Sequence, residues 1–483
     1  MKKSICLLLV FVLAVFSSCA SSKQNEDSAE PEPVEEKKVY GNLSALGAES
    51  DENSSIPTIS IVTDSGKAVT KKVYEGAAVS ASGAVSDEWD FSDLRAQVKC
   101  RGNYTYSSTE KKSYRVRFDD KINLFNQGDG KARSWVLMAE HCDQSFLRNH
   151  IAFAMAKKLT NISYSSSSSF VHLIINGKDQ GIYHVVEQHQ VGKHRVDINE
   201  DPEIVDTDYF IEWDKYADSD GIYGINWFYA GENKFIVKSD AMSEAKCSFL
   251  SDFFNNANEA IAGGDESEIR KYLNVDTFVD MYILQEVMKN IDVGWSSFFF
   301  VKSAGGTISC TCPWDFDLAA GNDARLDNGS YEGLYVGNPE YVLFGGRKRL
   351  DQGNEWFAYL MMRTWFVDLV TARWDEVKGD MQDTAISEID RISTCFADDI
   401  ETNFKAWPRL FGSKINQEPD QIRALDTYQK HVAYLREWMV NRFTWLDNYF
   451  SDDSSKYLTT EFKPRSDRGG PGDWRRGNDR GNG

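Results

Sequence analysis

Two patterns of hydrophobic and polar positions divide this chain. Between Ile56 and about Ser243, short apolar runs alternate with polar positions and are broken by Asp-Ser-Gly, Ser-Gly and Asn-Gly, which indicates β-strands joined in hairpins. The segment "SFVHLIINGKDQGIYHVVEQ" is the strongest hairpin, with Asn176 and Gly177 as its turn. After Ser243, apolar residues recur at helical spacing in segments such as "EWMVNRFTWLDNYF". The pattern predicts an α+β protein with a β-rich N-terminal part and a mainly helical C-terminal part.

One helix is predicted inside the β-rich part, in "DQSFLRNHIAFAMAKKL". Asp143 is its expected N-cap residue, and Arg148 and Asn149 are interpreted as a pair on its surface. Four apolar residues share the face that we expect to be buried: Phe146, Ile151, Met155 and Leu159.

A further hairpin is expected among the C-terminal helices, in "SSFFFVKSAGGTISCTCPWDFD". Asp292 precedes its first strand and Asp315 follows its second. Because a hairpin returns its two ends to one place, the two aspartates should be neighbours. Two close carboxylates repel each other unless a cation or a shared proton intervenes. Mg²⁺ binds carboxylates together with phosphate oxygens and water, so the pair favours a nucleotide–metal site.

The first residues indicate export and membrane attachment. "MKKSICLLLVFVLAVFSSCASS" has a basic start and an apolar run too short to span a membrane, which predicts a signal peptide over residues 1–18. "FSSC" is similar to a loose bacterial lipobox, in which Cys19 becomes the lipidated first residue. Residues 19–55 are polar and acidic and predict a flexible tether, and the Gly/Arg-rich residues 451–483 predict a disordered tail. We therefore expect an extracytoplasmic protein held at the cell envelope by lipid alone.

The charge and composition of the chain argue against nucleic acid as a binding partner and against zinc as a bound metal. The formal net charge of −20 disfavours binding to nucleic acid. The seven histidines form no HxxxH pair, and Cys310-Thr-Cys312 fits neither a zinc knuckle nor a thioredoxin motif, so zinc is not expected. Asp315-Phe-Asp317 also matches the short DxD motif of nucleotide-sugar glycosyltransferases, although no Rossmann-like run accompanies it. A glycosidase with paired acids is a further alternative.

Six segments in order resemble the CotH kinase family, which is related to spore coat protein H and has an atypical protein-kinase-like fold. The resemblance covers roughly residues 56–450 and implies a fold of two lobes. The matching segments are "KCRGNYTYSSTEKKSYRVRF", "RSWVLMAEHCDQSFLRNHIAFAMAKKL", "VHLIINGKDQGIYHVVEQ", "LQEVMKNIDVGWSSFFFVK", "CPWDFDLAAGN" and "NEWFAYLMMRTWFVDLVTARW".

The resemblance also implies roles for particular residues. Asp292 corresponds to the catalytic aspartate that receives or orients the acceptor hydroxyl, and Asp315 to the aspartate that holds the metal. The family has an asparagine ligand five residues after the catalytic aspartate, but this chain has Ser297, a weaker ligand for which Asp317 could compensate. The expected cover over the phosphates and the phosphate contacts are Arg101, Gly102, Asn103, Lys112, Arg115 and Arg117.

Two assignments stay open at this point. Glu187 is either a contact to the nucleotide or to a lysine, or a salt-bridge partner at a strand end. The implied activity is transfer of phosphate from ATP, with Mg²⁺ or Mn²⁺, to Ser/Thr hydroxyls of an envelope protein, including autophosphorylation. The alternative is a pseudokinase that acts in surface assembly or adhesion. Ser297 and the expected extracytoplasmic location favour this alternative.

Overall fold

A computed structural model describes residues 56–344, 354–395, 399–408, 417–453 and 456–457. It confirms the predicted α+β layout, with β-strands concentrated before residue 240 and helices after it. The predicted signal peptide, Cys19, the tether and nearly all of the tail lie outside the described residues. No helix in the described ranges is long and apolar enough to cross a membrane.

Seven strands form a closed barrel in the N-terminal part, in the order β1-β2-β3-β4-β5-β7-β6. Parallel pairing of β1 with β6 closes it, and the other neighbours are antiparallel. Closure leaves no strand edge unpaired around the ring. The strands are β1 Thr58–Thr63, β2 Glu75–Ser82, β3 Phe91–Arg101, β4 Ser113–Ile122, β5 Ala132–Met138, β6 Ser168–Ile175 and β7 Lys178–Glu187.

Strand alternation fills the barrel with apolar side chains. In β3, Ala96, Val98 and Cys100 are buried at every second position, while the residues between them face outward. Trp135 of β5 packs in the same interior cluster. The β6–β7 hairpin has its turn where it was predicted, because Asn176 and Gly177 both have positive φ, as a tight two-residue turn requires.

A second sheet of five antiparallel strands has the order β12-β11-β8-β10-β9. The predicted hairpin after Asp292 is present as β11 and β12, and β11 pairs with β8, which comes from much earlier in the chain. The strands are β8 Tyr209–Trp213, β9 Trp227–Ala230, β10 Asn233–Val237, β11 Phe298–Lys302 and β12 Ile308–Thr311.

The helices pack mainly around this sheet and share one large apolar core with it. Glu286 and Arg442 form an ion pair inside that core at 2.8 Å, and both side chains are buried. The helices are α1 Tyr104–Ser108, α2 Arg148–Ala156, α3 Ala217–Asp220, α4 Glu244–Gly263, α5 Glu266–Ile269, α6 Val275–Val287, α7 Glu355–Met361, α8 Thr364–Cys395, α9 Asp399–Ala406, α10 Asp420–Arg423 and α11 Tyr428–Ser451.

Helix α2 differs in two ways from its prediction. It begins at Arg148 with Leu147 as N-cap, so Asp143 is not the N-cap residue, although its carboxylate accepts a hydrogen bond from the Arg148 amide at 2.8 Å. The interpretation of Arg148 and Asn149 as a surface pair is wrong, since they are 1% and 0% exposed. Both side chains have internal hydrogen-bond partners that a sequence pattern does not reveal. The four-residue apolar face is buried as expected.

Six cysteines lie in the described ranges, and all are buried free thiols.

Candidate functional site

A cavity of about 1320 Å³ lies beside the β11–β12 hairpin. Asp292, before β11, and Asp315, after β12, both line it, as do Asp317 and Ser297. The antiparallel register of the hairpin, with Phe299 opposite Thr311, brings the flanking segments together. The hairpin argument from the sequence therefore placed both aspartates at one cavity.

Three residues around this hairpin have backbones in the left-handed region. Ser297 has φ 62° immediately before β11, Cys312 has φ 48° immediately after β12, and Asp315 has φ 68°. Residues other than glycine adopt this conformation at a cost, and such residues cluster at ligand and active sites. Contacts with surrounding residues therefore hold the backbone of these three residues in the left-handed conformation.

Helix α2 supplies the contacts that hold the loop carrying Asp315 and Asp317. The Phe316 amide, between the two aspartates, donates to the Asn149 side-chain oxygen at 2.8 Å. The Asn149 amide nitrogen donates to Glu140 at 3.1 Å, and Arg148 Nε donates to the Ala319 carbonyl at 3.0 Å. Buried polar residues of one short helix thus position the acidic loop.

Burial raises the pKa of all three aspartates. It raises the pKa of Asp292 to about 7, against the lowering effect of Arg325, whose guanidinium lies 3.8 Å from the carboxylate. The pKa of Asp315 is raised mainly by burial, while Arg101 and a hydrogen bond from Ser297 lower it. The pKa of Asp317 is raised well above its ordinary value by burial and then by the charges of Asp315 and Glu140. These acids repel each other, and a bound cation would relieve that repulsion.

The barrel contributes several cations to the lining of the same cavity. Arg101 at the end of β3 stacks on the Trp314 ring at 5.4 Å, and Arg115 Nε donates to Gln188 at 3.0 Å. Arg117 also lines the cavity, so the alternation of β4 places it on the same side as Arg115, as the sequence predicted. Arg133 of β5 extends this row. The cavity lining therefore combines arginines from the barrel with buried carboxylates from the segments around the hairpin.

Most of the predicted site residues meet at this cavity. It is lined by Asp292, Ser297, Asp315, Asp317, Arg101, Gly102, Asn103, Arg115 and Arg117. Lys112 is not among the lining residues, and its ammonium donates to the carbonyls of Tyr106 and Thr109. Glu187 is also outside the lining and pairs with Arg195 at 2.6 Å, which matches the salt-bridge alternative.

Sequence reasoning missed several acids of the cavity, among them Glu212 and Glu140. Glu212 in β8 accepts from the Ser297 amide at 3.1 Å and pairs with Lys238 at 2.6 Å. Glu140 follows β5, and burial raises its pKa to about 8. Each acid stands in or directly after an apolar strand, in "YFIEW" and "SWVLMAE". A charged residue in such an apolar run could have indicated a functional residue, because a buried charge needs a partner.

Buried acids and arginines that line one cavity define a protein that can hold a polyanion together with a cation. Comparison with known families agrees with that class of site. The family model described as CotH kinase protein matches residues 98–446, which is most of the chain. The chain therefore belongs to the CotH kinase family, and this membership suggests a kinase-like function. A search of curated proteins found no match.

Proposed function

We propose that this chain is an atypical protein kinase that transfers phosphate from ATP to Ser/Thr hydroxyls. The observation that carries the proposal is that barrel arginines and buried aspartates line one cavity. Arg101, Arg115 and Arg117 can bind the phosphates, and Asp292 lines the same cavity. Phosphoryl transfer needs these parts, because its catalysis is mostly positioning and charge stabilisation. In this proposal the barrel and the helical part are the two lobes of a kinase-like fold.

Asp315, Asp317 and Ser297 fit a divalent cation. Asp315 and Asp317 are carboxylates whose charged forms are disfavoured by burial and mutual repulsion, and Ser297 adds a hydroxyl at the same place. No three His, Cys, Asp or Glu side chains of the described ranges are grouped as a complete metal site. Mg²⁺ usually takes one or two carboxylates and completes its shell with phosphates and water. When bound, Mg²⁺ or Mn²⁺ would neutralise charge on the phosphates.

Asp292 has the properties of a residue that orients the acceptor. Its pKa of about 7 leaves the carboxylate ready to accept a proton near neutral pH. The neighbouring Arg325 also pairs with Asp323 at 2.7 Å, so its charge is shared between two acids. In the proposed reaction Asp292 accepts the proton of the attacking hydroxyl.

Substitution of the two aspartates separates their roles. Asp315→Asn should weaken metal-dependent ATP binding, because a charged ligand becomes neutral. Asp292→Asn should leave ATP binding nearly intact and reduce transfer about a hundredfold to ten-thousandfold. Calorimetry with ATP and Mg²⁺ measures the first effect, and labelled-phosphate transfer the second. The matched control is Asp383→Asn on the exposed side of α8, which should change neither. If the wild-type chain binds no nucleotide, the proposal fails.

A pseudokinase is the second candidate, and Ser297 favours it. The family asparagine is replaced by a serine whose hydroxyl is engaged with Asp315, which leaves a weaker ligand set. If this replacement limits the enzyme, Ser297→Asn should raise transfer by restoring an amide ligand. Labelled-phosphate transfer by the two proteins tests this. ATP–metal binding without transfer in both would support a scaffold role instead.

The proposal also includes the cellular location of the protein. A basic start, a short apolar run and Cys19 support export and lipid attachment at the cell envelope. The acceptor would then be an envelope protein, and no nucleic-acid partner is expected for so acidic a chain.

A further inference from the structure

The barrel lines the cavity with more cations than the three arginines assigned to the phosphates. They come from the segment between β1 and β2 and from strands β3, β4 and β5. We call them the cationic row, and they are Lys71, Lys99, Arg101, Arg115, Arg117 and Arg133. The triphosphate of ATP, partly neutralised by Mg²⁺, carries fewer negative charges than the row has positive ones. The nucleotide alone would therefore not neutralise the row.

Neutral groups hold members of the row without cancelling their charge. The Lys99 ammonium lies over the Tyr74 ring at 4.7 Å, and the Lys71 ammonium donates to the Asn103 side-chain oxygen at 2.5 Å. An aromatic face or an amide oxygen positions a cation but leaves its full charge in place. The row is thus arranged to attract a negatively charged ligand.

The register of β3 and β4 places two cations of the row directly opposite each other. Lys99 is the partner of Arg115 in this antiparallel pair. Like charges at directly opposed positions destabilise a sheet. Burial and then the charge of Arg115 lower the pKa of Arg101 to about 10, so the repulsion extends to a third member of the row. An anion bound along the row would relieve this repulsion.

Acids in and after β8 line the same cavity, but they have partners within the protein. Glu212 pairs with Lys238 at 2.6 Å, and the Asp214 carboxylate accepts from the Tyr216 amide at 2.9 Å. By contrast, three members of the row form no ion pair with any carboxylate of the described residues, namely Lys99, Arg117 and Arg133. The charge left without a partner in the protein favours an acidic ligand over a basic one.

The cavity has room for a second ligand beside a nucleotide. Its volume is about 1320 Å³, whereas sites for one small molecule commonly measure about 300–1,000 Å³. Arg117 and Arg133 are exposed as well as lining the cavity, so the row reaches the protein surface. A polypeptide that brings a hydroxyl into the cavity from solvent can therefore contact this outer part of the row.

We propose that the cationic row binds acidic side chains of the acceptor, so that the preferred acceptor is a serine or threonine flanked by aspartate or glutamate. This inference rests on the proposed kinase function and specifies the substrate class of that site. Lys99 and Arg133, which are not assigned to the phosphates, bind the acceptor carboxylates. Attraction between opposite charges speeds the encounter with the acceptor, and salt weakens this effect.

The test compares acceptor peptides in labelled-phosphate transfer by the full chain with ATP and Mg²⁺. One peptide has a single serine between runs of glutamate, and two others have glutamine or lysine in place of every glutamate. We expect kcat/KM for the glutamate peptide to exceed that for the glutamine peptide about tenfold or more at low salt. The ratio should fall toward one as the salt concentration increases.

A double substitution, Lys99→Gln with Arg133→Gln, tests the residues. It should reduce kcat/KM for the glutamate peptide to the value for the glutamine peptide, mainly through a higher KM. The matched control is Lys121→Gln with Lys131→Gln, which removes the same charge from exposed positions of the barrel outside the cavity lining. The control should keep the preference for glutamate.

The outcomes separate this inference from the proposed function. Equal kcat/KM for the glutamate and glutamine peptides, or a higher value for the lysine peptide, overturns the inference and leaves the kinase function standing. An equal fall for all peptides in the Lys99 and Arg133 variant assigns these cations to the nucleotide and also overturns it.

Calorimetry with the glutamate peptide and no ATP decides the remaining case, in which the wild-type chain transfers no phosphate. Peptide binding that weakens in the Lys99 and Arg133 variant would then support the acidic ligand and contradict the kinase function. Absence of both transfer and peptide binding overturns the two proposals together.

Discussion

At the scale of single residues, the pair formed by Asp292 and Arg325 controls the expected pH dependence. The carboxylate has a pKa raised to about 7 by burial, and the guanidinium 3.8 Å away holds that pKa below what burial alone would give. Only the ionised carboxylate accepts a proton, so kcat/KM should rise as pH increases through about 7. Arg325→Gln should move this midpoint upward, because a favourable positive charge is removed.

The pH profile of kcat/KM for labelled-phosphate transfer, measured with saturating metal, checks this expectation. Arg436→Gln is the matched control, because Arg436 also pairs with an aspartate, Asp390 at 2.7 Å, but on the exposed surface and away from the cavity. Its profile should coincide with that of the wild type. A midpoint that stays in place or falls in the Arg325 variant contradicts the role given to this pair.

At the scale of elements, helix α2 holds the loop that contains Asp315 and Asp317 in place through the side chain of Asn149. Removing this amide leaves the buried Phe316 N–H without its acceptor and leaves Glu140 with His184 Nδ1, at 2.7 Å, but without the Asn149 donor. An unsatisfied buried group costs about 1–3 kcal/mol. Asn149→Ala should therefore lower stability by about that amount and also weaken ATP–metal binding, since Phe316 lies between Asp315 and Asp317.

Chemical denaturation and calorimetry measure the two effects separately. Asn255→Ala is the control, because its side chain accepts from the Gly231 amide at 3.0 Å, in the turn between β9 and β10 and outside the cavity lining. That variant should lose some stability and keep its ATP affinity. Equal ATP affinity in the wild type and Asn149→Ala would show that α2 does not position the loop.

At the scale of the whole molecule, the barrel and the segments around the β11–β12 hairpin contribute charged residues to one cavity. Arginines come from β3, β4 and β5, and carboxylates come from segments around the hairpin, from Glu140 after β5 and from Glu212 in β8. A ligand bound between them contacts both parts and stabilises the folded chain by mass action, by about 2.7 kcal/mol at a hundred times Kd.

The predicted lipid anchor on Cys19 would determine whether the whole chain is attached to the membrane. If lipid on Cys19 is the anchor, Cys19→Ala should move the exported protein from the membrane fraction to the soluble fraction without changing its melting temperature. Cys6→Ala, within the predicted signal peptide, is the matched control and should leave the protein in the membrane fraction. Immunoblots of both fractions check the distribution, and membrane retention of the Cys19 variant contradicts the anchor.

The periodic and local features of the fold could be predicted from the sequence. The change from strand to helix spacing, the Asn176-Gly177 turn and the β11–β12 hairpin depend on neighbouring residues, and each was found where it was expected. That Asp292 and Asp315 line one cavity follows from the same local geometry. The closed barrel and the pairing of β11 with β8 join distant segments, and no local pattern specifies them.

The rest of the site was decided by tertiary structure. Asn149 and Phe316 are 167 positions apart, and the charge of Arg101 acts on Asp315 from a strand in the barrel. The helical spacing of apolar residues predicted that Arg148 and Asn149 are on the surface, because both are polar. The spacing does not show which hydrogen-bond partners a buried polar side chain will have. Local propensity thus determined the elements and one acidic pair of this protein. Packing of distant segments decided which charges face each other, since Coulomb interactions depend on distance through space and on burial, and not on separation along the chain.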